Sequence, residues 1–146
     1  MKNILYFTLT ALFFCSLISC NKDDDTENIE SYITVTIDGK PYTFNTIKVM
    51  VYEEETFIYR DFYATIDNNP NRIISFSLID YPETIDGRFF YTINDNHYTY
   101  GSSGSFLNST LSTHNATKII GNFSGKLSSL NNESVTLEDG VINIIY

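Results

Sequence analysis

The sequence predicts an all-β protein, an antiparallel β-sandwich of eight or nine strands, with a small closed or partly closed β-barrel as the alternative. Three observations predict it. From Tyr32 onward apolar residues recur with a period of two, the spacing of a half-buried strand. Tyr, Phe, Ile, Val and Thr fill these runs, and they suit a pleated surface. Asp-Gly pairs at Asp38-Gly39, Asp86-Gly87 and Asp139-Gly140 offer the positive-φ chemistry of tight hairpins. No stretch beyond residue 20 carries an apolar stripe at helical spacing.

In the first strand, over 32–38, Ile33, Val35 and Ile37 share one face and the threonines take the other. Strands are expected next at 41–51 and 56–66, separated by the charged loop Glu53-Glu54-Glu55. Asn68-Asn69-Pro70-Asn71 reads as a turn. It leads into a strand over 72–80 with Ile74, Phe76 and Leu78 inward and Ser75 and Ser77 outward. Short strands follow at 88–93, 97–101 and 105–111, with a flexible loop at Ser102-Ser103-Gly104-Ser105. The run 117–128 points Ile119, Phe123 and Leu127 inward. Gly121 and Gly125 on the same face suggest a bulge or the sharp bend of a barrel corner. The last run, 133–146, is expected to fold back at Asp139-Gly140.

The N-terminus has a different character. Lys2 precedes an apolar stretch from about Ile4 to Ile18, which ends in Leu17-Ile18-Ser19-Cys20 and gives way to Asn21-Lys22-Asp23-Asp24-Asp25. A cationic start, a short apolar core and small or aliphatic residues at the cut make a secretory signal, too short for the roughly 20 residues of a spanning helix. The Cys at the cut resembles the lipobox of bacterial lipoproteins. That resemblance implies a diacylglyceryl thioether on Cys20, further acylation such as palmitate, and cleavage that leaves Cys20 as the new N-terminus. Three segments are expected: a signal peptide over 1–19, a lipidated Cys with a flexible acidic tether over 20–31, and one all-β domain over 32–146.

Of the 146 residues, removal of the first 19 leaves 127, enough for one domain with a real core. Cys15 leaves with the signal and Cys20 is consumed by lipid, so thiol catalysis and thiolate metal sites are excluded. The balance of 9 Lys and Arg against 18 Asp and Glu is acidic. It argues against nucleic acid and against charge-driven binding to anionic membrane. Attachment to membrane is expected through the acyl chains on Cys20 alone.

Lys22, Asp23, Asp24 and Asp25 behind the anchor resemble the export signal of Bacteroidota surface lipoproteins, which implies an outer-membrane location facing the cell exterior. Two further segments resemble uncharacterised Bacteroidota lipoprotein domains. One is the opening Ile37-Asp38-Gly39-Lys40-Pro41-Tyr42-Thr43; the other is Gly121-Asn122-Phe123-Ser124-Gly125 with the valine-rich strand and acidic-Gly turn behind it. Many members place Trp where this chain has Tyr42. The family implies a sandwich-like fold and no particular activity.

No catalytic constellation is readable. His97 and His114 lack partners at motif spacing and sit in polar, loop-like surroundings, so both read as surface histidines. Asp67-Asn68-Asn69 and Asn94-Asp95-Asn96 cluster oxygens but match no calcium loop, and turn roles are expected. No cofactor or metal site is expected. The sequons at Asn108, Asn115, Asn122 and Asn132 lapse as glycan acceptors in a bacterial setting. Along 56–66, Phe57, Tyr59 and Tyr63 share one face, while Ile58, Phe62, Ala64 and Ile66 share the other. Phe89-Phe90-Tyr91 and Tyr98-Thr99-Tyr100 form a second aromatic concentration. Such aromatics either complete a core or form a platform that stacks on sugar rings. The expected function is a non-enzymatic binding or structural module of the envelope, with a glycan or an envelope protein as partner. The alternatives are a lipocalin-like barrel around a small apolar ligand and, less favoured, a hydrolase.

Overall fold

The computed structural model describes residues 30–101 and 104–146. The expected signal peptide over 1–19, Cys20, Lys22, Asp23, Asp24, Asp25 and the pair Ser102-Ser103 lie outside the described residues. The described chain is all-β. Its strands are β1 (Tyr32–Ile37), β2 (Lys40–Phe44), β3 (Thr46–Glu54), β4 (Phe57–Ile66), β5 (Asn69–Ile79), β6 (Phe89–Ile93), β7 (Asn96–Thr99), β8 (Phe106–His114), β9 (Lys118–Ser129) and β10 (Ser134–Ile145).

Every pairing is antiparallel. Hydrogen bonding runs unbroken in the order β2-β1-β10-β9-β7-β6-β5-β4-β3, with β8 added to β9 beside β7. Of the two closures open to such strands, the chain takes the barrel-shaped one. A single sheet curls into a nearly closed barrel whose edge strands, β2 and β3, are consecutive in sequence. Asn45 joins them at a corner held to the end of β4 and the turn after it. Its backbone N–H donates to the Thr65 carbonyl (3.1 Å), its Nδ2 donates to Asp67 (2.7 Å), and its Oδ1 accepts from the Asp67 N–H (2.8 Å). This corner is why the expected strand 41–51 divides in two.

Turn chemistry sets the register. Asp38-Gly39, Asp67-Asn68 and Asn94-Asp95 each place both residues at positive φ, between 46° and 76°. These mirror-image turns follow the right-handed strand twist, so the two oxygen-rich clusters noted in the sequence are hairpin turns. Asp139-Gly140 departs from expectation. β10 continues through it, and Asp139 (φ 51°) forms a bulge where the register against β9 shifts between Leu137 and Gly140. Both halves of β10 pair with the same neighbours, β1 and β9, so the extra residue bends the strand without reversing it. Asp86-Gly87 likewise makes no hairpin, because it lies in the long loop between β5 and β6.

The period-two faces sort as the sequence predicts. Ile33, Val35, Ile37, Ile74, Phe76, Leu78, Ile119, Phe123 and Leu127 are all buried in one core. Ring contacts run along the barrel's inner face from β4 through β5 and β6 to β9. Phe62 stacks on Phe76 (centroids 4.7 Å), Phe76 on Phe89 (6.1 Å), and Phe89 tilts against Phe123 (5.3 Å). Gly121 and Gly125 mark the close approach of β8 to β9. A Cβ on Gly121 would stand 2.6 Å from the Thr110 carbonyl oxygen, too near for any side chain.

Candidate ligand-binding groove

The outer face of β3, β4 and β5 carries the feature best suited to a ligand. Alternation along β4 turns Arg60, Phe62 and Ala64 inward and leaves Phe57, Tyr59, Asp61 and Tyr63 outward. Cross-strand register then lines up two rungs. In one, Tyr52 of β3 stands opposite Tyr59, which stands opposite Ile79 of β5. In the next, Met50 stands opposite Asp61 and Asp61 opposite Ser77. Tyr52 and Ile79 are about half exposed, at 48% and 50%, and the Phe57 and Tyr59 rings meet edge-on at 6.4 Å. Residues 80–88 rise beside these rungs and form a wall. Floor and wall enclose an open groove of about 680 Å³, lined by Tyr52, Tyr59 and Ile79 below and by Pro82, Asp86 and Arg88 at the side.

The groove's charged groups are mostly acidic. Glu54, Asp61 and Asp86 contribute three carboxylates against the single guanidinium of Arg88. Ser77 Oγ donates to Asp61 Oδ1 at 2.6 Å, which fixes the carboxylate on the floor. Tyrosine suits such a surface because it offers rigid, low-entropy contact area with a polar tip.

The wall is held on both sides. The Asp80 N–H donates to the Ile58 carbonyl (2.8 Å), and the Ile58 N–H donates to Asp80 Oδ1 (3.1 Å). Further along, the Leu111 N–H donates to the Glu83 carbonyl (2.7 Å), and the Ile85 N–H to Ser109 Oγ (2.7 Å). Ile85 is buried, the Tyr100 hydroxyl donates to the Gly87 carbonyl, and the Ser77 N–H donates to the Arg88 carbonyl (3.0 Å). These bonds explain why Asp86-Gly87 sits in a strap across the barrel.

Behind the strap lies a polar cluster built around one buried arginine. Arg60, only 3% exposed, donates to the Asp80 carbonyl (3.1 Å) and to the Tyr81 hydroxyl (3.0 Å), while its Nε has no partner. Its guanidinium carbon lies 4.6 Å from the Tyr81 ring centroid, and that ring meets His114 edge-on at 5.2 Å. The expectation of a surface His114 is therefore corrected. It ends β8 under the strap, and neither ring nitrogen has a hydrogen-bond partner of good geometry. Burial, then the nearby Arg60 charge, lowers its pKa, partly opposed by the Pro82 backbone. His97 is exposed, with Nδ1 2.9 Å from Thr92 Oγ1.

Sequence alternation locates the Phe57, Tyr59 and Tyr63 face. The second aromatic concentration belongs mainly to the core, with Phe89, Tyr91 and Tyr98 buried. Tyr52 escapes a reading that ends its strand at Val51; the turn falls at Glu55-Thr56 instead. Asp61 and Ser77 were accessible to the same period-two argument. Asp86 and Arg88 were not, because only tertiary contacts bring the strap to the floor. Another open depression, of about 480 Å³, is lined by Asn108, Thr110, Asn122, Phe123 and Asp139, and its one aromatic, Phe123, is buried in the core. Among the described residues, no group of three or more His, Cys, Asp or Glu could hold a metal ion.

In comparisons with known proteins, the chain matches no family model, no curated protein and no solved structure.

Proposed function

We propose that this protein is a surface-displayed outer-membrane lipoprotein, anchored through acyl chains on Cys20, whose barrel domain binds a saccharide without transforming it. The observation that carries the binding role is the paired Tyr52 and Tyr59 on the floor of an open groove beside hydrogen-bonding side chains. Sugar rings present apolar C–H faces and polar rims, and a tyrosine floor with carboxylates at its edge complements both. The anchor and the outward orientation rest on the lipobox-like Leu17-Ile18-Ser19-Cys20 and on Lys22, Asp23, Asp24 and Asp25. A lipocalin-like role needs room inside the barrel, and Phe44, Phe62, Phe76 and Phe89, none more than 2% exposed, pack into that interior with the rest of one core.

The test is an oligosaccharide array probed with full-length protein in detergent, alongside Tyr52→Ala and Tyr59→Ala. The expected result is retention of at least one glycan by the parent and its loss in both variants. No glycan retained by the parent, or equal retention by all three, contradicts the binding role. Release of shorter sugars from a retained glycan contradicts the non-enzymatic assignment.

A further inference from the structure

We infer that the groove selects an amine-bearing, cationic saccharide over neutral and anionic ones. This rests on the saccharide reading above and adds to it the charge of the ligand. Three observations point the same way. The first is charge: Glu54, Asp61 and Asp86 line the groove with only Arg88 against them, so a uronate would bring another carboxylate into a surplus of carboxylates. The second is the floor. The faces of Tyr52 and Tyr59 carry the negative lobe of the ring quadrupole, which attracts an ammonium group as well as sugar C–H bonds. The third is preorganisation. Ser77 Oγ occupies Asp61 Oδ1 at 2.6 Å, so the carboxylate is already fixed in place when an ammonium arrives at its second oxygen.

The surroundings reinforce this local field. The chain carries 18 acidic against 9 basic side chains, so the groove does not sit in an otherwise positive surface that would cancel it. A half-open groove is shielded from solvent less than a core and more than a flat surface, so the preference should weaken as salt rises.

The experiment compares three probes of matched length on full-length protein by calorimetry at about pH 6. They are a glucosamine oligosaccharide with protonated amines, its N-acetylated neutral counterpart and an oligogalacturonate. The amine form should bind about tenfold or more tighter than the N-acetyl form, and the oligogalacturonate weakest. The gap should shrink in 0.5 M salt and in Asp61→Asn and Asp86→Asn, each checked for native circular dichroism. Because the comparison of ligands needs only the parent protein, it survives a variant that fails to fold. Equal or tighter binding of the neutral form overturns the charge preference and leaves the saccharide reading standing. No binding of any probe removes both. A preference for the amine form that persists unchanged in both Asp61→Asn and Asp86→Asn reports plain ion attraction outside the groove and overturns the inference.

Discussion

Ser77 and Asp61 face each other across β5 and β4, and the serine hydroxyl donates to the aspartate at 2.6 Å. This bond links a strand that supplies core residues on one face to the groove on the other. Ser77 lies between Phe76 and Leu78, both buried, so the fold fixes its backbone while its side chain holds the carboxylate.

Ser77→Ala should therefore separate stability from binding. The melting temperature should move little, because the groove face is solvated and loss of this one bond is worth about 1 kcal/mol. Affinity for the amine-bearing oligosaccharide should drop severalfold, because Asp61 is freed to rotate. Thermal melts and calorimetry on the same sample check both halves. A large loss of stability with binding intact would assign Ser77 to the core instead.

Phe76→Ala should do the reverse. Phe76 contacts Phe62 at 4.7 Å and Phe89 at 6.1 Å, so its removal opens a hole where three strands meet. The cost for a buried Phe→Ala is about 3–5 kcal/mol, a large part of a margin of about 5–15 kcal/mol. Urea denaturation should show it as a lower midpoint, whereas Ser75→Ala on the other face should stay within about 1 kcal/mol of the parent.

Much of this was legible in the sequence, and the limits were physical. Alternation marks inward and outward residues, so the core positions and the Phe57, Tyr59 and Tyr63 face follow from it directly. It cannot say whether a sheet stays open or curls, because that depends on pairings between strands distant in sequence, such as β1 with β10 and β7 with β9. An Asp-Gly pair signals positive φ equally well in a hairpin and in a bulge. The difference at Asp139-Gly140 lies in β1 and β9, distant in sequence, which pair with both halves of β10. His114 read as polar and exposed because its sequence neighbours are Thr113 and Asn115. What covers it is Tyr81, whose position depends on the strap.

His114 gives the domain a pH dependence with a defined sign. Its folded pKa lies below the ordinary 6.5, chiefly through burial. The unfolded chain thus takes up a proton near pH 6.5 while the folded chain does not. Stability from this group is fully present above 6.5 and falls as pH drops from there through the folded value, after which the deficit is constant. His114→Phe keeps a ring against Tyr81 and cannot titrate. Urea midpoints from pH 7.5 to 5 should decline less steeply in the variant than in the parent. Identical slopes would show that His114 titrates as an exposed histidine.

The proposed anchor and tether make separate predictions. Cys20→Ala should release the protein from the membrane fraction or leave it uncleaved, and mass spectrometry of the parent should find a thioether lipid on Cys20. Changing Lys22, Asp23 and Asp24 together to Ala should protect the domain from protease added to intact cells. An unmodified Cys20 ends the lipoprotein assignment, and equal protection of parent and variant places the domain in the periplasm.

The claim on which the rest depends is that saccharide sits on Tyr52 and Tyr59, and ring-selective NMR tests it most directly. With tyrosine rings labelled, addition of the amine-bearing oligosaccharide should shift the signals of Tyr52 and Tyr59 progressively. The buried Tyr91 and Tyr98, which face each other at 6.0 Å inside the barrel, should stay unmoved. Shifts confined to Tyr91 and Tyr98, or no tyrosine shift at saturating ligand, would contradict the account.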